Sequence, residues 1–171
     1  MPVDNDNVVP SKAAIFGHPL HPMLVPFPIA FLVGALASDL AFASTSDPFW
    51  ARASLWLVLA GLVMGVVAAA AGITDFLGDQ RVRAHSAAWV HFGGNGLALL
   101  LTLWSVLHRW DDPAASVLPL GLILSIVVAG ILMVTGWLGG ELSYRYRIGV
   151  AAERPQHGEA VGTRYAAGPR P

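Results

Sequence analysis

The segment Ala53–Thr74 reads ASLWLVLAGLVMGVVAAAAGIT, and no Asp, Glu, Lys or Arg interrupts it. A helix needs about 20 apolar residues to cross a hydrocarbon layer of ~30 Å, and this stretch supplies them. Three further charge-free intervals accompany it: Ala13–Ser38, Ala84–His108 and Pro113–Gly140. Together they predict four transmembrane helices at about Pro22–Ala43, Ser54–Phe76, Ser86–His108 and Val117–Leu138. A core helix of a soluble protein would show a polar face and stop sooner. The connections are short, so neighbouring helices should run antiparallel. The expected fold is an all-α integral membrane protein, a four-helix up-down-up-down bundle.

Composition points the same way. The chain has 171 residues, 55% of them apolar and only 12% charged, with a mean hydropathy of +0.59. That excludes a disordered chain, which needs low hydropathy and high charge. A net charge of -1 argues against a nucleic-acid partner. Without cysteine there is no disulfide framework, thiolate zinc site or cysteine-ligated cluster. We divide the chain into an N-terminal tail (1–16), a transmembrane domain (17–150) and a C-terminal tail (151–171). The last is rich in Pro, Gly, Ala and charge, and is expected to stay unfolded. Ala41-Phe42-Ala43 resembles a signal-peptide cleavage site, but the apolar run before it is too long. Its leader also carries Asp4 and Asp6 against Lys12 alone.

Basic residues flanking the helices set orientation. Lys12, Arg81, Arg83, Arg145, Arg147 and Arg154 fall on one side, Arg52 and Arg109 on the other. Both termini are therefore expected in the cytoplasm. Gly61–Gly65, Gly136–Gly140 and Ala68–Gly72 have the spacing that lets membrane helices approach closely. The six tryptophans mostly sit near helix ends, as interfacial anchors do.

Polar groups at membrane depth are costly and each needs a reason. His18, His21, Asp75, His85, His91, Asn95 and Glu141 gather at the cytoplasmic helix ends, whereas the opposite end offers Asp39 and His108. In Gly17-His18-Pro19-Leu20-His21-Pro22 each proline holds the preceding histidine away from helical geometry. Pro22 suits the first position of helix one. These histidines either make an interfacial turn bonded to headgroups and loop carbonyls, or present two fixed imidazoles. His91 lies more than a turn inside helix three. Asn95, Ala98, Thr102 and Ser105 continue its face, a stripe that must point into the bundle. That stripe is either an interhelical hydrogen-bond network or the ligand face of a metal or haem site. Asp75 and Glu141 either pair with Arg81, Arg83, Arg145 or Arg147, or accept the second N–H of a ligating histidine. Asp39 is expected to pair with His108, or with Ser38 or the end of helix three. No phosphate-binding Gly-Lys loop, His-Glu-x-x-His pair or Gly-x-Ser-x-Gly elbow occurs, so no catalytic residue is assigned.

His18-Pro19-Leu20-His21-Pro22-Met23-Leu24-Val25 with Phe27-Pro28-Ile29 resembles the opening signature of the bacterial domain-of-unknown-function 2231 family. The resemblance continues through Gly72-Ile73-Thr74-Asp75, through His91 with Asn95, and through Gly136-Trp137-Leu138-Gly139-Gly140-Glu141-Leu142 with Tyr144-Arg145. It spans Gly17 to Val150. The family often has histidine where this chain has Pro26 and Tyr146. The resemblance implies a multi-pass protein of the bacterial inner membrane with no established activity. Some relatives are joined to Rieske-type domains, which implies membrane redox chemistry.

These observations lead to an expected single b-type haem in an electron-transfer protein. His91 would be one axial ligand and His21 or His18 the other, with Asn95, Asp75 and Glu141 orienting them and Arg145 meeting a propionate. The alternatives are a structural or accessory subunit and a metal site using the histidines with Asp75. Expected partners are the lipid bilayer and either further copies of this chain or a membrane redox complex.

Overall fold

The computed structural model describes residues 8–150. Four helices are long and apolar enough to span a membrane: α1 (Leu20–Thr45), α2 (Pro48–Gly78), α3 (Ser86–Arg109) and α4 (Pro113–Arg145). They cover the expected segments and run further at most ends. At the starts of α2 and α4 the extension comes from capping, which hydropathy does not register. Asp47 accepts the Phe49 N–H ahead of Pro48, and Asp112 accepts the Ala115 N–H ahead of Pro113. A carboxylate cap followed by proline starts a helix before the apolar run begins. α2, with 31 residues, is roughly 46 Å long at 1.5 Å per residue, so its ends project beyond the hydrocarbon. Within α4, Leu118 is extended (φ -109°, ψ 135°), the conformation that Pro119 favours in the residue before it.

Packing is inverted relative to a soluble bundle. Met133 is 76% exposed and Trp137 79%, while buried positions hold Ala35, Ser54, Ala68, Thr102, Ser105 and Ser125. Lipid solvates the large apolar side chains, and small residues let the backbones close on one another. Side-chain bonds fix the directions of the helices. His21, near the start of α1, reaches Ala68 late in α2. His91, near the start of α3, reaches Thr135 late in α4, while Arg109 at the end of α3 meets Gly121 early in α4. His21 lies beside His91, and Asp39 beside Arg109. Neighbouring helices are thus antiparallel, and α1 lies parallel to α3.

The hairpin α1–α2 has its counterpart in α3–α4. Asp39 and Arg109 are 70 positions apart, and the same offset carries His21 onto His91, Pro28 onto Ala98, Leu32 onto Thr102 and Ala35 onto Ser105. Pro28, Leu32, Ala35, Ala98, Thr102 and Ser105 are all buried. A second constant offset carries Ser54, Val58, Ala68 and Gly72 onto Gly121, Ser125, Thr135 and Gly139. Only the histidines and that last glycine pair are identical residues, so the repeat lies in burial rather than in sequence.

A small cap closes the histidine end. β1 (Val9–Pro10) pairs in parallel with β4 (Ile148–Val150), and β2 (Ala14–Ile15) pairs antiparallel with β3 (His18–Pro19). Phe16 and Gly17 turn between β2 and β3 at positive φ, and at φ 81° glycine alone is unstrained. Val9, Phe76, Val82, Ala88, Leu142 and Ile148 form a separate apolar cluster beneath this cap. The N-terminal segment is therefore part of the fold from Val9 onward. The C-terminal tail lies outside the described residues. In the α2–α3 connection, hydrogen bonds from Arg81 hold the exposed Asp79 carboxyl down at about 2.

Candidate functional site: a histidine pair between the hairpins

His21 and His91 face each other across the bundle, with ring centroids 6.0 Å apart and planes at 84°. Each ring is seated on the second helix of its own hairpin. The His21 Nδ1–H donates to the Ala68 carbonyl at 2.8 Å, and the His91 Nδ1–H to the Thr135 carbonyl, also at 2.8 Å. A helix carbonyl already accepts from the N–H four residues on, but keeps a second lone pair. Glycine stands at that fourth position in both seats, so no side chain covers the oxygen. A Cβ on Gly72 would lie 2.8 Å from His21 Nδ1, and one on Gly139 would lie 3.0 Å from His91 Cε1. Ala68–Gly72 is thus an imidazole seat as much as a helix-packing motif, and Thr135–Gly139 repeats it.

A carbonyl only accepts, so both Nδ1 atoms carry the proton and both Nε2 atoms keep the lone pair in the neutral rings. Among the described residues neither Nε2 makes a hydrogen bond, and both rings line one cavity of about 70 Å³. Its remaining wall is nearly all apolar, including Val25, Pro28, Leu32, Ala98 and Leu99, with Asn95, Thr102 and Thr135 as polar exceptions. Those three are already engaged. Asn95 donates to the His91 carbonyl and accepts from the Thr135 hydroxyl, and Thr102 donates to the Ala98 carbonyl.

The other expected site residues lie elsewhere. His18 is exposed in β3, so His21 and not His18 is the partner of His91. Asp75 accepts from the Ser11 hydroxyl and the backbone N–H groups of Lys12 and Ala13. It fastens the N-terminal segment across α2 and touches neither histidine, which removes it from any metal site. Glu141 pairs with Arg145 at 2.7 Å on an exposed face, and the Arg145 side chain is 72% accessible, beside Tyr146. Neither lines the cavity, and the bond given for each is to the other. Pro26 is exposed, and Tyr146 packs on His85 with ring centroids 4.3 Å apart. A histidine at either position would not face the pair.

At the opposite end Asp39 meets the end of helix three, one of its expected partners. The residue there is Arg109 and not His108, and both side chains are wholly buried. Arg109 Nη1 and Nη2 bond Asp39 Oδ1 and Oδ2 at 2.6 and 2.8 Å. The remaining donors reach Ser54 Oγ at 2.5 Å, Gly121 O at 2.6 Å, Ser125 Oγ at 3.1 Å and Ser105 Oγ at 3.1 Å. Ser125 also donates to Asp39. One guanidinium therefore joins all four helices, with every N–H used. Sequence reasoning placed Arg109 outside, beside Asp111 and Asp112. The signal it passed over was spacing: Arg109 follows His91, as Asp39 follows His21, by about five whole helical turns.

Haem does not fit these residues. Ligands of drug size occupy pockets of about 300–1,000 Å³, several times this cavity. Nor does a basic side chain stand at the cavity to meet a propionate. What the site offers is two neutral imidazoles lining one small, mostly apolar space. No curated protein and no solved structure matches the chain. The family described as Predicted membrane protein (DUF2231) matches residues 17–152, and the chain belongs to it.

Proposed function

We propose that this multi-pass membrane protein binds one transition-metal ion between His21 and His91, as a binding protein rather than an enzyme. The observation that carries this reading is the pair of equivalent seats. Each fixes a tautomer through Nδ1 and leaves Nε2 without a hydrogen bond, and both rings line the same cavity; a histidine held through one nitrogen with the other left over is the arrangement that metal-ligating histidines share. With metal–nitrogen distances of about 2.0–2.1 Å, two imidazoles on one ion would have ring centroids roughly 6 Å apart. The two rings stand 6.0 Å apart. Haem-based electron transfer, favoured by the sequence, has neither the volume nor a second centre to pass an electron on.

The test is metal content of the detergent-purified protein after exposure to a panel of first-row ions and silver, with absorption spectra taken oxidised and reduced. We expect one ion per chain and no Soret band, with loading lost in both His21→Ala and His91→Ala. A folded protein that takes up no ion sinks the reading. It would favour a structural or accessory subunit, whose supporting observation is the four-helix junction at Arg109.

Orientation follows the basic residues more sharply than before. With Arg109 buried, Arg52 alone stands at one end, against Lys12, Arg81, Arg83, Arg145 and Arg147 at the histidine end. Arg154 lies outside the described residues. We place the histidine end and both termini in the cytoplasm of a bacterial inner membrane. Single cysteines at Lys12 and Asp112 should then label oppositely with an impermeant maleimide, Asp112→Cys from outside intact cells and Lys12→Cys only after lysis. The reverse pattern refutes it.

A further inference from the structure

We infer that the ion held between His21 and His91 is monovalent, Cu+ or its redox-inert analogue Ag+; this rests on the metal reading above. The argument is one of charge and ligand number. Both ligands are neutral, and among the described residues no carboxylate lines the cavity. The nearest candidates are committed, Asp75 to the N-terminal segment and Asp39 to Arg109. An ion here stays uncompensated in an apolar wall, and the cost of that rises with the square of its charge. A divalent ion is thereby penalised about fourfold relative to a monovalent one.

Ligand number agrees. Zn2+ takes four donors, and Ni2+ and Cu2+ prefer four or more. Among the described residues no third His, Asp or Glu joins the pair. Waters could complete a dication's shell only if polar groups held them, and the polar side chains of the wall already have partners. A closed-shell d10 monocation is content with two nitrogen donors in line, and imidazole suits copper. Each hairpin supplies one neutral imidazole, seated through Nδ1 in the same way, and two donors are the number such an ion accepts.

The experiment uses the full-length protein in detergent, titrated anaerobically with Cu+ against a chromogenic Cu+ chelator, and separately with Ag+, Zn2+ and Ni2+. X-ray absorption of the Cu+-loaded form counts the ligands. We expect one Cu+ or Ag+ per chain, two nitrogen neighbours, and weaker binding of Zn2+ and Ni2+ by roughly 100-fold or more. His18→Ala should leave Cu+ affinity unchanged, while His21→Ala and His91→Ala abolish it. Zn2+ or Ni2+ binding as tightly as Cu+ at these histidines, or a four-ligand copper sphere, overturns the monovalent assignment and leaves the metal site standing. Wild-type protein that binds none of these ions overturns both.

Discussion

Replacing Asp39 by leucine should cost about 3–5 kcal/mol of stability, the price of leaving a buried charge without its partner. Arg109 is wholly buried, so its guanidinium has no water to turn to. The serine hydroxyls and the Gly121 carbonyl would still accept from it, but none carries a negative charge. Arg109→Met should be costly for the mirror reason, since Asp39 would keep Ser125 as a donor and lose both guanidinium bonds. The double variant Asp39→Leu/Arg109→Met should recover most of either loss, because an apolar pair of similar volume often replaces a buried ion pair without penalty. Thermal unfolding of the detergent-solubilised protein gives the comparison. A single variant that costs under about 1 kcal/mol, or a double variant whose losses simply add, contradicts the account.

The second large effect is on binding and spares the fold. Gly72→Ala should weaken ion binding by about 10–100-fold, the usual consequence of disturbing the group that orients a histidine ligand. The new Cβ would lie 2.8 Å from His21 Nδ1, so the ring must move and give up its bond to the Ala68 carbonyl. Stability should hold, because alanine gains roughly 0.5–1 kcal/mol over glycine inside a helix and this offsets the local crowding. Gly130→Ala is the control, as its Cβ would meet nothing within 4 Å and the residue does not line the cavity. Loss of affinity with an unchanged melting temperature marks a seat for a ligand. Loss of stability with unchanged affinity would mean that Gly72 serves helix packing alone.

The spans were legible because charge is excluded from hydrocarbon, and each of the four helices takes in most of one charge-free interval. The meeting of His21 and His91 was half legible: composition put them at one end, and the polar stripe through Asn95 and Thr102 turned His91 inward. The β2–β3 turn leaves His18 exposed, and it is His21 that faces His91. Asp75 was misread because a helix-end carboxylate near arginines resembles an ion pair, and its actual partners are backbone N–H groups supplied by chain far away in sequence. Arg109 was misread because a run of His, Arg, Trp and two Asp looks like a solvated helix end. Its burial depends on Asp39 from another helix, and no local pattern announces a partner 70 residues distant. The seats at Gly72 and Gly139 were hidden for a related reason. Small-residue spacing signals close approach without saying whether a backbone or a ring comes near.

The correspondence of the two hairpins has a consequence for ancestry. Two identical copies of one hairpin, related by a true twofold, would set Asp against Asp or Arg against Arg at the far end, and like charges buried together repel. The histidine pair tolerates such symmetry, because the same neutral residue serves from both sides. The Asp39–Arg109 clasp does not. It is open only to two hairpins of different sequence, which a single chain carrying both in tandem supplies. The far end therefore has the pairing of a heterodimer's interface and the near end that of a homodimer's.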